Sequence, residues 1–357
     1  VYLSSVTFIE WRTGQTIQDY FYQLMFLGHL ALGLLLIIPV LVYGIRHQRL
    51  AHSRPNRRAV KVGYGLFLVA LVLLATGVVL TRGIPVVEIR DPAIREVAYW
   101  LHVTPPLLAA WLFVLHRLAG APIRWRFGAL VAIGAMLLSA GLVFVQSQDP
   151  RRWNATGPEE GVEYFFPSLA RTASGDFIPA RALMQDEYCA RCHADVHESW
   201  SHSVHRFASF NNPAYLFSVR NTREMSLRRD GDVRAARFCA GCHDPVPFFS
   251  GAFDEPGFDD VGHPTSQAGI TCSSCHAITN INSPRGNADY TIEEPLHYPF
   301  AYADSGALRW INETLVKAKP AFHRKTFLKP LQRSPEFCGS CHKVHLPRDH
   351  NGDRWLR

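Results

Sequence analysis

All eight cysteines of the chain fall into four copies of one pattern, Cys-x-x-Cys-His. The copies are Cys189-Ala-Arg-Cys192-His193, Cys239-Ala-Gly-Cys242-His243, Cys272-Ser-Ser-Cys275-His276 and Cys338-Gly-Ser-Cys341-His342. The pattern is typical of haem c attachment, in which both thiols bond to the haem vinyl groups and the His ligates the iron from the proximal side. Zinc knuckles, thioredoxin-like redox pairs and disulfides also use paired cysteines, but none of them requires His after the second Cys. The sequence therefore predicts four covalently attached haems.

The N-terminal part of the chain contains four apolar runs without Asp, Glu, Lys or Arg, each about long enough to cross a bilayer. They are residues 22–45, 62–81, 97–116 and 127–145. The remainder has many turn-forming residues and few long periodic segments, so short helices are expected around the motifs. The prediction is a mainly α chain with an outer N-terminal segment at 1–21, a four-helix transmembrane bundle at 22–146, a linker at 147–186, and a loop-rich, short-helix multihaem cytochrome c domain at 187–357.

The net charge of +7 comes from two loops between the apolar runs. Loop 46–61 carries six basic residues and loop 117–126 carries three, with no acidic residue in either, whereas loop 82–96 is balanced. By the positive-inside rule, the two basic loops face the cytoplasm, and the four motifs lie on the outer side. The basicity thus reflects a multi-pass protein of the bacterial inner membrane with its haem domain in the periplasm, and no nucleic-acid partner is expected.

Histidine is the expected sixth ligand of the four haems. After the fourth apolar run the chain has only two Met, Met184 and Met225, but eight His outside the motifs. Bis-His haems lack the Met ligand that raises reduction potential, so low to intermediate potentials are expected. The eight available imidazoles are His197, His202, His205, His263, His297, His323, His345 and His350.

The motif-bearing part of the chain resembles multihaem cytochromes of the hydroxylamine-oxidoreductase and tetrahaem-cytochrome lineage, over roughly residues 165–357. The resemblance rests on the strings WSHSVHRF at 200–207, FCAGCHDPV at 238–246, GITCSSCHAI at 269–278, FHRKTFLKPL at 322–331 and FCGSCHKVHLP at 337–347. It implies haems stacked in close parallel or perpendicular pairs, with distal ligands at His205, His297, His323 and His345. Related proteins often extend beyond the position of Arg357, so further chain or a neighbouring subunit is also expected.

Histidines within the apolar runs are unusual and indicate a function in the membrane. His29 and His102 lie at similar depths on parallel predicted helices, which favours a haem b between them on the pattern of four-helix b cytochromes, with Gly28 and Gly33 making room. His47 lies among the arginines of the inner loop, which favours a solvated loop histidine. The alternative hypothesis is a second haem b between His116 and either His47 or His52. The alternatives for His29 and His102 are an interhelical hydrogen bond or part of a quinone site.

The sequence therefore favours a membrane-bound tetrahaem cytochrome that transfers electrons between the quinone pool and a periplasmic redox partner. Its expected cofactors are four haem c, one or two haem b, and quinone. A second hypothesis makes the helices an anchor docked on a larger complex, such as a photosynthetic reaction centre or a respiratory oxidoreductase, without quinone chemistry. A third makes one haem an open catalytic site for nitrogen or sulfur oxyanions.

Overall fold

The computed structural model describes residues 2–14, 16, 18–82, 89, 91–119, 125–147, 157–345 and 355–356, and it is mainly helical. The chain divides into two compact units. The N-terminal unit comprises Val1–Asp149 together with His297–Phe322, and the motif unit comprises Pro150–Leu296 together with His323–Arg357. The domain limits expected from the sequence stay a prediction, but the return of residues 297–322 to the N-terminal unit has no signal in the hydropathy pattern.

The N-terminal unit is built from long helices. Those that precede the motif unit are α1 (Tyr2–Thr13), α2 (Tyr20–Ala51), α3 (Arg57–Leu80), α4 (Pro92–Val103), α5 (Pro105–Ala119) and α6 (Trp125–Ser147). Within the described residues, three segments are long and apolar enough to cross a membrane, namely Phe21–Ala51, Arg57–Leu80 and Pro92–Ala119. The fourth predicted run lies in α6, and the number of spans stays a prediction.

Side chains that accept hydrogen bonds from free backbone N–H groups define where these helices begin. The Asp19 carboxylate accepts from the Tyr22 N–H at 2.8 Å, and the Asn56 side chain accepts from the Ala59 N–H at 3.1 Å. The Asp91 carboxylate accepts from two N–H groups of the first turn of α4, which has Pro92 at its start. Each cap follows a polar loop, so the helix boundaries are encoded locally.

The third predicted run is interrupted between α4 and α5. Pro105 and Pro106 have no N–H to donate, so the helical hydrogen-bond ladder cannot continue through them. Thr104 ends α4 with its N–H bonded to the Trp100 carbonyl at 3.1 Å, and α5 begins at Pro105. Helix α3 contacts α2, α4 and α5, which are the helices that carry His29, His47, His102 and His116.

The motif unit consists of short helices and two small sheets. Its helices are α7 (Ala180–Leu183), α8 (Asp186–Ala190), α9 (Ala194–Ser201), α10 (Pro213–Asp230), α11 (Arg237–His243), α12 (Pro245–Ser250), α13 (Cys272–His276) and α16 (Pro335–His342). Two further helices, α14 (Gly306–Ala318) and α15 (Pro320–Phe327), begin in residues assigned to the N-terminal unit, and α15 continues into the motif unit. Each Cys-x-x-Cys-His motif lies in or directly after a short helix, as expected.

The strands of the motif unit are brief. They are β1 (Arg171–Thr172), β2 (Ile278–Ile281), β3 (Tyr290–Ile292), β4 (Val344–His345) and β5 (Trp355–Leu356). The first sheet has the order β1-β3-β2, with β1 parallel and β2 antiparallel to the central strand. Strand β2 follows the third motif directly, so this sheet ties that motif to the segment around Tyr290.

An aromatic core supports the motif unit in addition to whatever the haems contribute. Phe165, Phe248, Phe249 and Phe253 are fully buried, and the Phe165 ring meets the Phe248 ring edge-on at 5.3 Å between centroids. The sequence analysis did not predict this cluster, because its members lie in loops and one-turn helices, where no periodicity marks them.

A buried ion pair lies next to this aromatic core. The Arg237 guanidinium donates to the Asp254 carboxylate at 2.8 Å, and both side chains are almost fully buried. The guanidinium also lies 4.0 Å from the centre of the Tyr164 ring, whose hydroxyl donates to the other Asp254 oxygen at 2.7 Å. Burial beside the Asp254 carboxylate raises the pKa of Tyr164, so the phenol stays a hydrogen-bond donor.

Candidate haem centres

The structure brings the four motifs together in a fixed order. The Cys189 and Cys272 thiols are in hydrogen-bond contact, as are the Cys242 and Cys341 thiols. Cys275 lies close enough to Cys341 for their charges to interact. The first motif therefore neighbours the third, the third neighbours the fourth, and the fourth neighbours the second.

Tyr290 lies among three of these motifs and was not predicted as a site residue. It is 2 % exposed, and its hydroxyl donates to the carbonyl of Gly241, inside the second motif, at 2.6 Å. Burial, and after it electrostatic interaction with the nearby Cys341, Cys242 and Cys275, raises the pKa of Tyr290. A neutral phenol at this point joins the second, third and fourth motifs.

Hydrogen bonds orient the proximal imidazoles of the second and third motifs. His243 Nδ1 lies 2.8 Å from the Ala208 carbonyl oxygen, and His276 Nδ1 lies 2.5 Å from the Phe327 carbonyl oxygen. A carbonyl only accepts, so Nδ1 of His243 carries the hydrogen and Nε2 is left with its lone pair for iron. His276 Nδ1 also lies 2.9 Å from the Gln332 side-chain amide nitrogen, which is a donor. Burial lowers the pKa of both His243 and His276, which also favours the neutral ring that ligates metal.

Two predicted distal ligands lie against proximal imidazoles of other motifs. With iron–nitrogen bonds of about 2 Å, two imidazoles on opposite sides of one iron have ring centroids about 6 Å apart. His193 and His323 have centroids 6.1 Å apart and rings inclined by 11°, and we call them the parallel pair. His205 and His342 have centroids 6.1 Å apart and rings inclined by 72°, and we call them the crossed pair. Both separations fit haem iron.

The backbone holds both distal residues of these pairs. His205 accepts at its carbonyl from the Ile270 N–H at 2.9 Å, two residues before the third motif. His323 lies on α15, whose last residue, Phe327, provides the carbonyl that orients His276. One short helix thus positions groups at two neighbouring centres.

The other two predicted distal residues have different described contacts. His297 belongs to the N-terminal unit, where its ring lies 4.9 Å from the Tyr302 ring and its Nδ1 lies 3.1 Å from the Tyr298 carbonyl oxygen. His345 is buried in β4, with its N–H donated to the Asn287 side chain at 3.0 Å. Opposite His243 the structure places the Tyr215 ring, stacked at 4.2 Å between centroids. The ligand assignments of His297 and His345 stay predictions.

Of the remaining histidines of the motif unit, His263 and His202 have ring nitrogen atoms engaged by neighbouring groups. His263 Nδ1 accepts from the Thr265 N–H at 3.3 Å, which leaves the hydrogen on Nε2. His202 Nε2 lies 3.1 Å from the Glu198 carboxylate on an exposed helix face. His197 packs against Trp200 with centroids 5.4 Å apart, and His350 lies outside the described residues.

In the N-terminal unit, four histidines of α2, α4 and α5 form two pairs. The His29 and His102 rings have centroids 5.9 Å apart, inclined by 72°. The His47 and His116 rings have centroids 6.1 Å apart, inclined by 75°. These separations match those of the parallel and crossed pairs. We call the two sets the His29 pair and the His47 pair.

The two histidines on the third predicted run have Nδ1 partners on or near α3. His102 Nδ1 lies 3.1 Å from the Thr76 hydroxyl, which itself donates to the Val72 carbonyl at 2.7 Å. His116 Nδ1 lies 3.0 Å from the Ala59 carbonyl oxygen. In both cases Nδ1 carries the hydrogen, and Nε2 is available to a metal.

The structure also separates the two candidates for the partner of His116. His52 Nδ1 lies 2.8 Å from the Tyr64 hydroxyl, whereas His47 faces His116. Both residues lie among the arginines of loop 46–61 and differ by five positions, so spacing alone left the choice open. The ring of His47 is stacked on Tyr43 at 5.4 Å, one turn earlier on α2.

Two glycines of α3 allow the close approach of these imidazoles. A Cβ atom at Gly77 would lie 3.2 Å from His102 Cε1, and one at Gly63 would lie 3.1 Å from His116 Cε1. At Gly28 and Gly33, the glycines singled out from the sequence, a Cβ would meet nothing within 4 Å. The sequence contains a signal for these two glycines that was not used. Gly63 and Gly77 are separated by the same number of residues as His102 and His116.

Residues 188–277, which include the first three motifs, match the family model described as cytochrome c554 and c-prime. The match supports a multihaem c-type cytochrome. Such a cytochrome binds haem c covalently, and its family relationship indicates electron transfer. Comparisons with curated proteins and with solved structures gave no match.

Proposed function

We propose that this cytochrome transfers electrons between the membrane quinone pool and a redox partner on the outer side of a bacterial inner membrane. Four haem c in the motif unit and two haem b in the N-terminal unit would provide the redox centres. The observation that carries the proposal is the pair of facing imidazoles repeated twice along α2 and α4–α5, each with the separation that one iron requires.

The position of the two pairs supports a path across the membrane. His29 and His47 lie on one helix, and 18 residues correspond to a rise of about 27 Å, most of an apolar bilayer core. In the sequence, His47 and His116 adjoin the two basic loops, whereas His102 follows the balanced loop 82–96. The positive-inside rule then assigns the His29 pair to the outer leaflet and the His47 pair to the inner leaflet.

The residues around each centre determine what that centre can do. Bound haem supplies reversible one-electron chemistry at iron, and the chain supplies ligands, orientation and exclusion of water. Thr76, Ala59 and Ala208 fix the Nδ1 hydrogen of an imidazole, which leaves Nε2 available to the metal. The cysteine sulfur atoms of neighbouring motifs lie close together, which supports the short distances between c-type centres that electron transfer requires.

The decisive experiment measures haem composition and reduction by quinol in the full-length membrane protein. A pyridine haemochrome spectrum with intact mass should return four haem c and two haem b. His102→Ala should keep all four haem c, lose one haem b and lose reduction by duroquinol while still accepting electrons from dithionite. His52→Ala is the matched control, because His52 is hydrogen-bonded to Tyr64 and has no ring contact with another imidazole in the described part of the chain. It should behave as wild type.

Two outcomes would reject the proposal. If the wild-type protein contains haem c alone, the helices are an anchor for an electron-transfer chain docked on a larger complex. If duroquinol reduces His102→Ala at the wild-type rate, electrons enter elsewhere.

A further inference from the structure

A lysine encoded near the C-terminal end of the chain lies against the beginning of α2. Lys319 stands between α14 and α15 and belongs to the N-terminal unit. Its N–H donates to the Leu315 carbonyl at 2.8 Å, and its own carbonyl accepts from the Tyr298 hydroxyl. Both backbone groups are therefore held, which fixes the origin of the side chain.

The amino group of Lys319 is buried among aromatic residues. Nζ donates to the Tyr22 hydroxyl oxygen at 2.8 Å and lies 4.3 Å from the centre of the Phe26 ring. Tyr22 is 1 % exposed. Burial lowers the pKa of Lys319 to about 8, partly opposed by the charge of Glu10. Holding an ammonium in such surroundings is costly, and an anionic ligand would offset that cost.

The amino group lies on the face of α2 that carries His29. Tyr22, Phe26 and His29 follow the i, i+4, i+7 spacing of one helix face, and seven residues correspond to a rise of about 10.5 Å. The Lys319 side chain contacts the first two of these residues. It is thus displaced from the His29 pair along that face, toward the N-terminal end of α2.

We propose that Lys319 and the Tyr22 hydroxyl bind a haem propionate at the His29 pair. This inference rests on the proposed function, because it requires a haem b between His29 and His102. Both propionates project from one edge of a porphyrin, and carboxylates avoid the apolar interior of a bilayer. They must point toward the nearer polar end, which is the end where Lys319 lies. Lys319 donates to the Tyr22 oxygen, so the phenol hydrogen also remains a donor.

The ammonium has a predictable effect on the iron. Reduction removes one positive charge from a bis-imidazole iron, so a nearby cation favours the reduced state. One charge about 10 Å away, at an effective dielectric constant of about 20, changes an equilibrium by on the order of tenfold. Loss of the Lys319 charge should therefore lower the reduction potential of this haem.

The test is a potentiometric titration of the b-type absorbance in the full-length protein. Lys319→Gln should shift the reduction equilibrium of one haem b about tenfold toward the oxidised form, or 59 mV lower for one electron. Lys319→Arg keeps the charge and should titrate as wild type. Lys317→Gln removes an exposed charge from the last turn of α14, two residues before Lys319, and is the matched control. Loss of one haem b in Lys319→Gln, with retention in Lys319→Arg, would equally support the proposal.

The failures are distinguishable. Absence of haem b from the wild-type protein rejects the proposed function. Two haem b with unchanged potentials in Lys319→Gln rejects only the role of Lys319, as does an equal shift in Lys317→Gln. If Lys319→Gln does not accumulate, Tyr22→Phe preserves the ring and should lower the same potential by a smaller amount. An unchanged potential in Tyr22→Phe would then reject the shared propionate site.

Discussion

Adding one methyl group to α3 should weaken one haem b and leave the other intact. In Gly77→Ala the new Cβ would lie 3.2 Å from His102 Cε1, which is closer than an ordinary van der Waals contact. The imidazole must therefore move away by a few tenths of an ångström. Metal–ligand distances tolerate about 0.2 Å, and overpacking of this kind costs about 1 to 3 kcal/mol. The haem at the His29 pair should be held roughly 5- to 150-fold less tightly.

The same helix provides the controls. Gly63→Ala places a Cβ 3.1 Å from His116 Cε1 and should weaken the haem at the His47 pair instead. Gly65→Ala places a Cβ 3.7 Å from Leu112 Cδ1, an ordinary contact, and should be neutral or slightly stabilising because Ala favours helix over Gly. All three substitutions are the same change in one helix, so propensity effects cancel in the comparison.

The assay is the reduced-minus-oxidised difference spectrum of purified membranes during a redox titration, which resolves b-type components by potential. Gly77→Ala and Gly63→Ala should each diminish a different component, while the four haem c stay at wild-type level. The reasoning fails if both variants diminish the same component, or if Gly77→Ala behaves as Gly65→Ala does.

Further expectations follow from the motif unit and the charge pattern. Low-temperature EPR of the oxidised protein should show low-spin haem of two kinds. The parallel pair should give a rhombic signal and the crossed pair a strongly anisotropic one. A stoichiometric high-spin signal at either pair would contradict this prediction. Cys275→Ala should remove one haem and lower stability, and retention of four haem c by mass would exclude that motif. Arg237→Gln should lower the free energy of unfolding by about 3 kcal/mol in denaturant titration, whereas Arg234→Gln, in an exposed ion pair, should lower it by less than about 1 kcal/mol. Protease cleavage in sealed vesicles should reach 54–58 only from the cytoplasmic side, and periplasmic cleavage there would refute the topology.

Local chemistry made the covalent sites predictable. A haem c motif is complete within five residues, so Cys189 to His193 and its three counterparts could be read without knowing the fold. The sequence predicts that His29 and His102 lie close together, because they occupy similar depths on parallel helices. In the structure their ring centroids are 5.9 Å apart.

Side-chain contacts between distant segments were not predictable in the same way. The choice of His47 over His52 depends on the Tyr64 hydroxyl, which belongs to the next helix. The placement of His297 depends on a segment returning to the N-terminal unit, which no hydropathy window detects. The aromatic core around Phe165 is formed by residues in loops and one-turn helices, where no periodic pattern in the sequence indicates which side chains are buried.

The discontinuous N-terminal unit has a consequence for biosynthesis. Tyr22 and Lys319 are 297 residues apart in the chain, so at 5–20 residues per second the second partner emerges roughly 15 to 60 s after the first. The helices that carry the His29 pair are made early, but the lysine beside Tyr22 arrives only after three of the four haem-attachment motifs have been synthesised. A chain that stops before residue 319 therefore leaves the packing around Tyr22 unfinished, although every helix that carries the His29 pair has already been made.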